Sequence, residues 1–345
     1  MRIKSLRLIG LIAVAAAAVH GQSTNQPVYW SATQPDCSKL HESPVMIATS
    51  ATGGVVGYSC YVIGTFVWLA AGGMWSSAIR VAAPASAAIG VEYTFYDTNG
   101  RSLSLDTTGS LKASTNDVGF ALYPNQPTEI DLLGATSDAP GYPTTATGSV
   151  TAAFFCPDAV TCSNVLPQLI YSALPTYPWS LSVPIAWDDL LSAHWSAEGI
   201  EDGHTRRVSL VIYNADQTAT SYTIRVYDST GTLAGTGTTP SIPGAPTLPD
   251  GSIGQGGTQG ALLSDLISKP LPPDIYKIFV DGGTSLCAVE MLQVHGLAAT
   301  TLQVAYDTAP AATSALQRSS VRRSRVESTP KPMFTELPNT KTKNR

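Results

Sequence analysis

Charged side chains are scarce in this 345-residue chain, in which Asp, Glu, Lys and Arg together make up 13%. Surface helices usually carry a strongly charged face, so the shortage argues against a helical protein. The chain instead holds 29 glycines and 24 prolines, residues that end helices and form turns. The composition therefore favours strands joined by many turns.

The sequence also lacks the short motifs of several common catalysts. It contains no H-E-x-x-H zinc motif, no G-x-S-x-G nucleophile turn and no G-x-x-x-x-G-K phosphate loop. These absences disfavour the exported hydrolases that depend on such motifs. Glycosidases that use paired carboxylates have no short signature, so a hydrolase with dispersed Asp and Glu stays open. We assign no catalytic residue and expect no cofactor.

Only five cysteines are present, and no two of them have the C-x-x-C spacing. This pattern disfavours a zinc site and a thioredoxin-type redox site. Because an exported protein meets an oxidising environment, we expect disulfides, with Cys156–Cys162 and Cys37–Cys60 as the candidate pairs. Cys287 stands in a strand-like run and is predicted to be a buried, unreactive thiol.

The first 21 residues have the pattern of an export signal. Arg2, Lys4 and Arg7 precede an apolar run, 8–19, that is short for a membrane-spanning helix. We predict cleavage after Gly21 and a secreted or periplasmic location at the cell exterior. An uncleaved anchor is the alternative.

Charge is distributed unevenly along the chain. The net charge is −5, although the signal carries three positive charges and residues 311–345 carry eight positive charges against two negative ones. The body between them is therefore acidic and should repel phosphate backbones, so we expect no nucleic-acid partner. The basic tail, 310–345, is predicted to be solvated and disordered, with contact to an anionic surface as the alternative.

An internal repeat is the most informative feature of the sequence. Residues 91–100 (VEYTFYDTNG) align without a gap with residues 222–231 (YTIRVYDSTG). In both segments apolar and polar residues alternate, and an Asp-x-x-Gly turn follows. An alternation of period two, with one face of the strand polar and exposed to solvent, predicts a strand in an antiparallel sheet that packs against a second sheet.

The likeness extends beyond this strand. Residues 77–81 match 208–212 at the same offset, Trp68 and Trp195 each precede a glycine by four residues, and 184–188 resembles 303–307. We therefore predict an all-β fold of two tandem antiparallel β-sandwich domains, 22–188 and 189–309, after the signal (1–21) and before the tail (310–345).

Several other segments carry interpretable patterns. We expect strands at 102–106, 119–123, 149–155 and 276–281, and short helices at 260–267 and 128–133. The run 55–71 is apolar, but its glycines and polar residues divide it into two strands, so no membrane span is expected after signal removal. Residues 235–260 are rich in Gly and Pro and are interpreted as a long surface loop.

These motifs resemble the tandem immunoglobulin-like sandwich repeats of exported bacterial proteins. In the second copy the matching residues are Trp195, Gly199, the strand 208–214 that ends in Asn214, and the Tyr-Asp-x-x-Gly turn at 227–231. The first copy departs from the pattern, since Ala83 stands where the asparagine would fall. The resemblance implies a structural or adhesive role at the cell exterior, with no catalytic residues to carry over.

Carboxylates and imidazoles gather near the predicted domain boundary. His194, Glu201, Asp202 and His204 offer the nitrogen and oxygen ligands that a divalent ion could use. Their spacing matches no calcium loop, and a charged linker that faces water would contain the same residues. Both interpretations stay open here.

Aromatic rings gather near the end of the first copy. Tyr171, Tyr177, Trp179 and Trp187 stand among prolines, and exposed rings of this kind can stack on sugar faces. Rings buried in a sandwich core would produce the same sequence, and alternation places Trp179 with apolar neighbours on one face.

Three functions in different classes follow from these patterns. The first is a non-catalytic exterior protein for structure, adhesion or binding, whose partner would be a cell-surface component. The second is a carbohydrate-binding protein, which needs coplanar exposed rings. The third is a hydrolase that uses dispersed Asp and Glu, which needs two facing carboxylates and a raised pKa.

Overall fold

The computed structural model describes residues 46–49, 55–58, 60–73, 75–85, 87–109, 114–115, 117–125, 127–135, 145–173, 180–187, 191–247, 254–295 and 298–306. The predicted export signal, the basic tail, Cys37, Tyr177 and Trp179 lie outside the described residues.

The described part of the first half consists of thirteen strands and one short helix. The strands are β1 Met46–Thr49, β2 Val55–Tyr58, β3 Cys60–Ala71, β4 Trp75–Ala82, β5 Ile89–Asp97, β6 Leu105–Gly109, β7 Ser114–Thr115, β8 Asp117–Leu122, β9 Pro127–Ala135, β10 Ala146–Cys156, β11 Gln168–Ala173, β12 Ser180–Pro184 and β13 Ala186–Trp187. The helix α1 covers Ala159–Ser163, and the Asp158 carboxylate caps it by accepting a hydrogen bond from the Thr161 amide at 2.7 Å.

The described part of the second half contains nine strands and one helix of four residues. The strands are β14 His194–Glu201, β15 Arg206–Asn214, β16 Thr223–Tyr227, β17 Leu233–Thr238, β18 Thr258–Leu262, β19 Asp274–Asp281, β20 Cys287–His295, β21 Ala298–Thr301 and β22 Val304–Tyr306. The helix α2 covers Leu263–Leu266.

The strand pairs in the sheets are antiparallel, and the fold is all-β as predicted. Sheet I has the order β13-β3-β10-β5-β8 and sheet II the order β12-β11-β4-β9-β6-β7. Sheet III has the order β22-β14-β19-β16-β17 and sheet IV the order β21-β20-β15-β18. A separate hairpin joins β1 to β2.

Nine strands of the first half have a counterpart in the second half, in the same order within each sheet. Sheet III repeats sheet I, and sheet IV repeats the first four strands of sheet II. The aligned segments 91–100 and 222–231 fall on the equivalent strands β5 and β16, and 77–81 and 208–212 fall on β4 and β15. Strands β3 to β13 belong to sheets I and II, and strands β14 to β22 belong to sheets III and IV.

The register of the paired strands corrects one part of the sequence alignment, the match of Trp68 with Trp195. Ala152 of β10 lies opposite both Tyr93 and Gly64, whereas its counterpart Val280 lies opposite Ile224 and Trp195. Trp195 is therefore equivalent to Gly64 and not to Trp68. A β-bulge between Gly148 and Val150 of β10 shifts the register beside Trp68.

Two further expectations were wrong and one was confirmed. Residues 128–133 form part of strand β9 and not a helix. The segment 235–260 is not only a surface loop, because Ile242 packs in a core and Thr258 begins strand β18. The run 55–71 divides into β2 and β3 as predicted. No helix among the described residues is long and apolar enough to cross a membrane.

Each sheet pair encloses its own hydrophobic core. Side chains from sheets I and II, such as Phe66, Tyr93, Phe154 and Leu169, form the first core. Side chains from sheets III and IV, such as Trp195 and Met291, form the second. Burial of these side chains is the main stabilising term for each pair.

A third cluster joins the two sheet pairs, and we call it the junction. Val67 of β3 and Ala186 of β13 meet Val211, Tyr213 and Ala288 of sheet IV. The outer face of sheet IV is therefore covered by sheet I.

Hydrogen bonds from β18 and the preceding loop fix this contact. The Thr258 hydroxyl donates to the Val67 carbonyl at 2.7 Å, and the Thr258 amide donates to the Thr98 carbonyl at 2.9 Å. The Gln255 amide side chain reaches the Thr65 hydroxyl at 3.4 Å. The turn after β5 thus docks on the loop before β18.

The two equivalent turns share their backbone geometry but differ in what surrounds them. Gly100 and Gly231 both have positive φ, of 75° and 81°, and both donate to an Asp carbonyl at 2.9 Å. A Cβ at Gly100 would stand 2.1 Å from the Gln255 carbonyl oxygen, whereas a Cβ at Gly231 would meet nothing within 4 Å.

We expect Gly100→Ala to open the junction and Gly231→Ala to leave it closed. Both substitutions place a Cβ in left-handed backbone at a cost of about 1 kcal/mol, but only the first collides with Gln255. Hydrogen exchange of a peptide covering 254–262 should increase in Gly100→Ala alone. Equal exchange in the two variants would contradict the docking role of this turn.

Asn214 ties together a corner of the second sheet pair. Its side-chain NH₂ donates to the carbonyls of Thr218 at 2.8 Å and Ile242 at 3.0 Å, and its oxygen accepts from the Tyr222 hydroxyl at 2.9 Å. Both Asn214 and Tyr222 are fully buried. The aligned residues of the first copy are Ala83 and Val91, which have neither the side-chain amide nor the hydroxyl. The first copy therefore lacks both members of this hydrogen-bonded pair.

We expect Asn214→Ala to lower the free energy of unfolding by about 3 kcal/mol, because it leaves several buried polar groups without partners. Tyr222→Phe should cost about 1 kcal/mol, and the double variant less than the sum, since the two side chains share a hydrogen bond. Denaturant titration measures these values, with exposed Asn164→Ala as the control. Strict additivity would contradict the coupling.

Candidate functional site

The outer face of sheet III carries a groove with a volume of ≈ 700 Å³. Strands β14, β16 and β19 and the turn after β16 form it. Its lining residues are Glu198, Arg225, Tyr227, Asp228, Ser229, Gly231, Ile275, Lys277 and Phe279.

Alternation along the strands explains why these side chains face outward. On β16, Ile224 and Val226 are fully buried in the second core, while Arg225 between them is exposed. On β19, Ile278 is buried and Lys277 before it is exposed. The period of two therefore separates core residues from groove residues on every strand.

The centre of the groove is aromatic. The rings of Tyr227 and Phe279 lie 5.6 Å apart with their planes at 86°, an edge-to-face arrangement. The Lys277 ammonium stands 5.4 Å from the centre of the Phe279 ring, within range of a cation–π interaction. Ile275 extends this surface and is 54% exposed.

Two ionised carboxylates lie at one end of the groove: Asp228 lines it, and Asp274 stands next to it and binds Ser229. Hydrogen bonds from the Thr230 hydroxyl and the Thr232 amide lower the pKa of Asp228. Asp274 accepts from the Ser229 amide at 3.1 Å, and this bond is the main cause of its lowered pKa. Both negative charges are thus held in place by the turn after β16.

The other end of the groove is bordered by the Arg225–Asp281 ion pair and by His194, which contacts the same carboxylate. The Arg225 guanidinium lies 2.9 Å from one oxygen of Asp281, and the His194 imidazole lies 3.3 Å from the other. These groups are partly exposed, so the pairs contribute little to stability. Their effect is to orient Arg225 along the face of the sheet.

The four predicted metal ligands do not share a site. His194 begins β14 and Glu201 ends it, which places them about 23 Å apart. Residues 194–201 are moreover a central strand and not a charged linker. The described residues contain no group of three or more His, Cys, Asp or Glu that could hold a metal ion.

The carboxylates at the end of β14 have structural partners. Glu201 is buried and accepts from the Val208 amide at 2.7 Å, and burial raises its pKa. Asp202 accepts from the amides of Arg206 and His204, which lower its pKa. Both side chains therefore stabilise the hairpin between β14 and β15.

The predicted sugar-stacking residues are not a binding face. Tyr171 and Trp187 are 3% and 8% exposed and belong to the first core, so their ring faces are unavailable. Tyr177 and Trp179 lie outside the described residues. The partly exposed rings of the groove are Tyr227 and Phe279, which the sequence did not single out as a binding face. The outward positions of the repeated strands were the signal that could have found them.

The cysteines agree in part with the predicted pairing. Cys156 at the end of β10 and Cys162 in α1 form a disulfide. Cys60 lies directly opposite Cys156 in the register of β3 and β10, and its predicted partner Cys37 lies outside the described residues. Cys287 is a buried free thiol that contacts the Ser192 carbonyl at 3.3 Å, and burial raises its pKa.

Carboxyl groups line the groove, but among the described residues those with a raised pKa lie elsewhere. Glu198 and Asp228 both line it, but the lowered pKa of Asp228 keeps that carboxylate unprotonated near neutral pH. Among the described residues the carboxyls with a raised pKa are Glu201 and Glu290, and neither lines the groove.

Comparison with protein-family models, curated proteins and solved structures finds no match to this chain.

Proposed function

We propose that this chain is an exported, non-catalytic protein with a structural or adhesive role at the cell exterior. In this proposal each sheet pair is an immunoglobulin-like β-sandwich, and the outer face of the second sandwich binds a component of the cell surface. The apolar cores between facing antiparallel sheets support the sandwich interpretation.

One observation carries the binding role: two equivalent positions on sheets I and III hold very different side chains, although Tyr227 and Asp228 have like counterparts in Tyr96 and Asp97. Thr94 and Thr151 on sheet I correspond to Arg225 and Phe279 on sheet III by strand register. Small residues suit sheet I, beside the junction. Large aromatic and charged residues on the exposed counterpart are typical of a surface that contacts a ligand.

The junction supports a structural component of the role. Apolar contacts and the hydrogen bonds of Thr258 hold sheet I against sheet IV, so the two sandwiches form one unit. A unit of this kind can hold the groove at a fixed distance and orientation from whatever anchors the first half. Interfaces that are large and apolar restrict motion between domains in this way.

Carbohydrate is the second candidate ligand. The rings of Tyr227 and Phe279 lie in a groove bordered by hydrogen-bonding groups such as Asp228 and Ser229. Because the planes of the two rings are perpendicular, only one ring at a time can lie flat against a pyranose. The Tyr227 ring is the better choice, since Lys277 occupies space over the Phe279 ring.

We expect Tyr227→Ala and Ile275→Ala to weaken binding of the full secreted protein to intact cells of its source by about tenfold. A tenfold loss corresponds to about 1.4 kcal/mol, a reasonable value for one buried contact. Leu233→Ala is the matched control, because Leu233 is similarly exposed at 49% but does not line the groove. Labelled protein and flow cytometry measure the binding.

A glycan array with the same variants separates the two candidate ligands. Selective signals that fall in Tyr227→Ala would favour carbohydrate, whereas silence would favour a protein component. Equal cell binding by wild type, Tyr227→Ala and Leu233→Ala would contradict the groove as the binding face. Recovery of a cleaved glycan after incubation would contradict the non-catalytic role.

A further inference from the structure

Glu290 stands on the junction face of strand β20. Alternation directs Val289 and Met291 into the second core, while Ala288 belongs to the junction cluster. Leu292, two residues further on, packs against the first core. Glu290 lies between Ala288 and Leu292 on the same face, so it points between the two sheet pairs.

The junction gives this carboxyl group few partners. Glu290 is 1% exposed, and its Oε1 atom has no hydrogen-bond partner among the described residues. Burial raises the pKa of the Tyr171 phenol, and the nearby Glu290 carboxyl raises it further. The Tyr171 hydroxyl donates to the Trp68 carbonyl and is therefore already engaged.

Positive charge is lacking on the elements that face Glu290. Strands β3, β18 and β21 contain no charged residue. On the neighbouring strand β15, Val211 lies opposite Glu290, whereas Arg207 lies opposite Val294, about 13 Å further along the sheet. The other ionisable side chain of the cluster is Tyr213. Burial alone raises the pKa of Glu290, to about 8.

We propose that the protonated carboxyl of Glu290 allows sheet I to pack on sheet IV, and that ionisation of this group opens the junction. A neutral carboxyl can remain buried with one unpaired oxygen at moderate cost. A carboxylate in the same position loses its hydration without gaining a cation or enough hydrogen bonds, which is far more costly. Opening returns the charge to water while each sheet pair keeps its own core.

The expected pH dependence follows from the two pKa values of Glu290. In the open form the carboxyl titrates near its ordinary value of 4.5, and in the closed form near 8. Since the closed form binds the proton more tightly, closure is most favourable below 4.5. It weakens as the pH rises towards 8. The opening equilibrium constant should increase about tenfold per pH unit over this range and level off above it.

Hydrogen exchange of the full chain between pH 5.5 and 9, corrected for the intrinsic rate, tests this proposal. Overlapping peptides from residues 254–262 report the junction, because the Thr258 amide donates across it to the Thr98 carbonyl. Peptides covering β5 and β16 report the two cores. In wild type we expect the junction peptides to lose protection by about tenfold per pH unit up to about pH 8, while the core peptides do not change. In Glu290→Gln, which cannot ionise, the junction peptides should show a flat profile.

Two further results decide the outcome. Glu290→Met removes the carboxyl but keeps a similar shape, so protection of its junction peptides should also be independent of pH. This variant replaces Glu290→Gln in the experiment if the glutamine variant does not fold. Identical profiles in wild type and the variants would overturn the proposal. A parallel loss of protection in core and junction peptides would overturn it as well, because that pattern means global unfolding.

Discussion

Burial of sheet IV on both faces is the constraint on which the rest of the structure depends. Its inner face completes the second core, and its outer face is covered by strands of sheet I. An antiparallel sheet in a two-layer fold usually exposes one face to water. In this chain the outer face of sheet IV is buried in the junction instead of facing water. The two halves of the chain therefore share one continuous packed structure.

Divergence between the two copies follows from this arrangement. The same strand order occurs twice, but only the first copy has to accommodate a neighbour on the outer face of sheet I. Small residues such as Thr94 and Thr151 therefore occupy positions where the second copy has Arg225 and Phe279. The outer face of sheet I contributes to the junction, whereas the outer face of sheet III retains an exposed groove.

The sequence predicted those features that depend on local pattern. Alternation of period two identified the repeated strands, and close spacing identified the Cys156–Cys162 bridge. It could not predict the junction, because a strand buried on both faces, such as residues 287–291, loses the alternation that marks its wet side. The two tryptophans were matched only by their Trp-x-x-x-Gly spacing, and strand register shows that Gly64 and not Trp68 is the counterpart of Trp195. The groove residues were overlooked because Tyr227 was counted only as part of a turn motif.

The corner around Asn214 has a consequence for how the chain is made. A polypeptide with two similar ribbons in succession risks pairing a strand from one copy with the partner of the other during synthesis, a known failure of repeat proteins. Ala83 and Val91 cannot reproduce the hydrogen bonds of Asn214 and Tyr222, so a strand transplanted between copies would leave polar groups stranded in an apolar interior. Because the equivalent corners of the two copies are held by different interactions, exchange of strands between the copies is unfavourable. Each strand therefore pairs more favourably within its own copy.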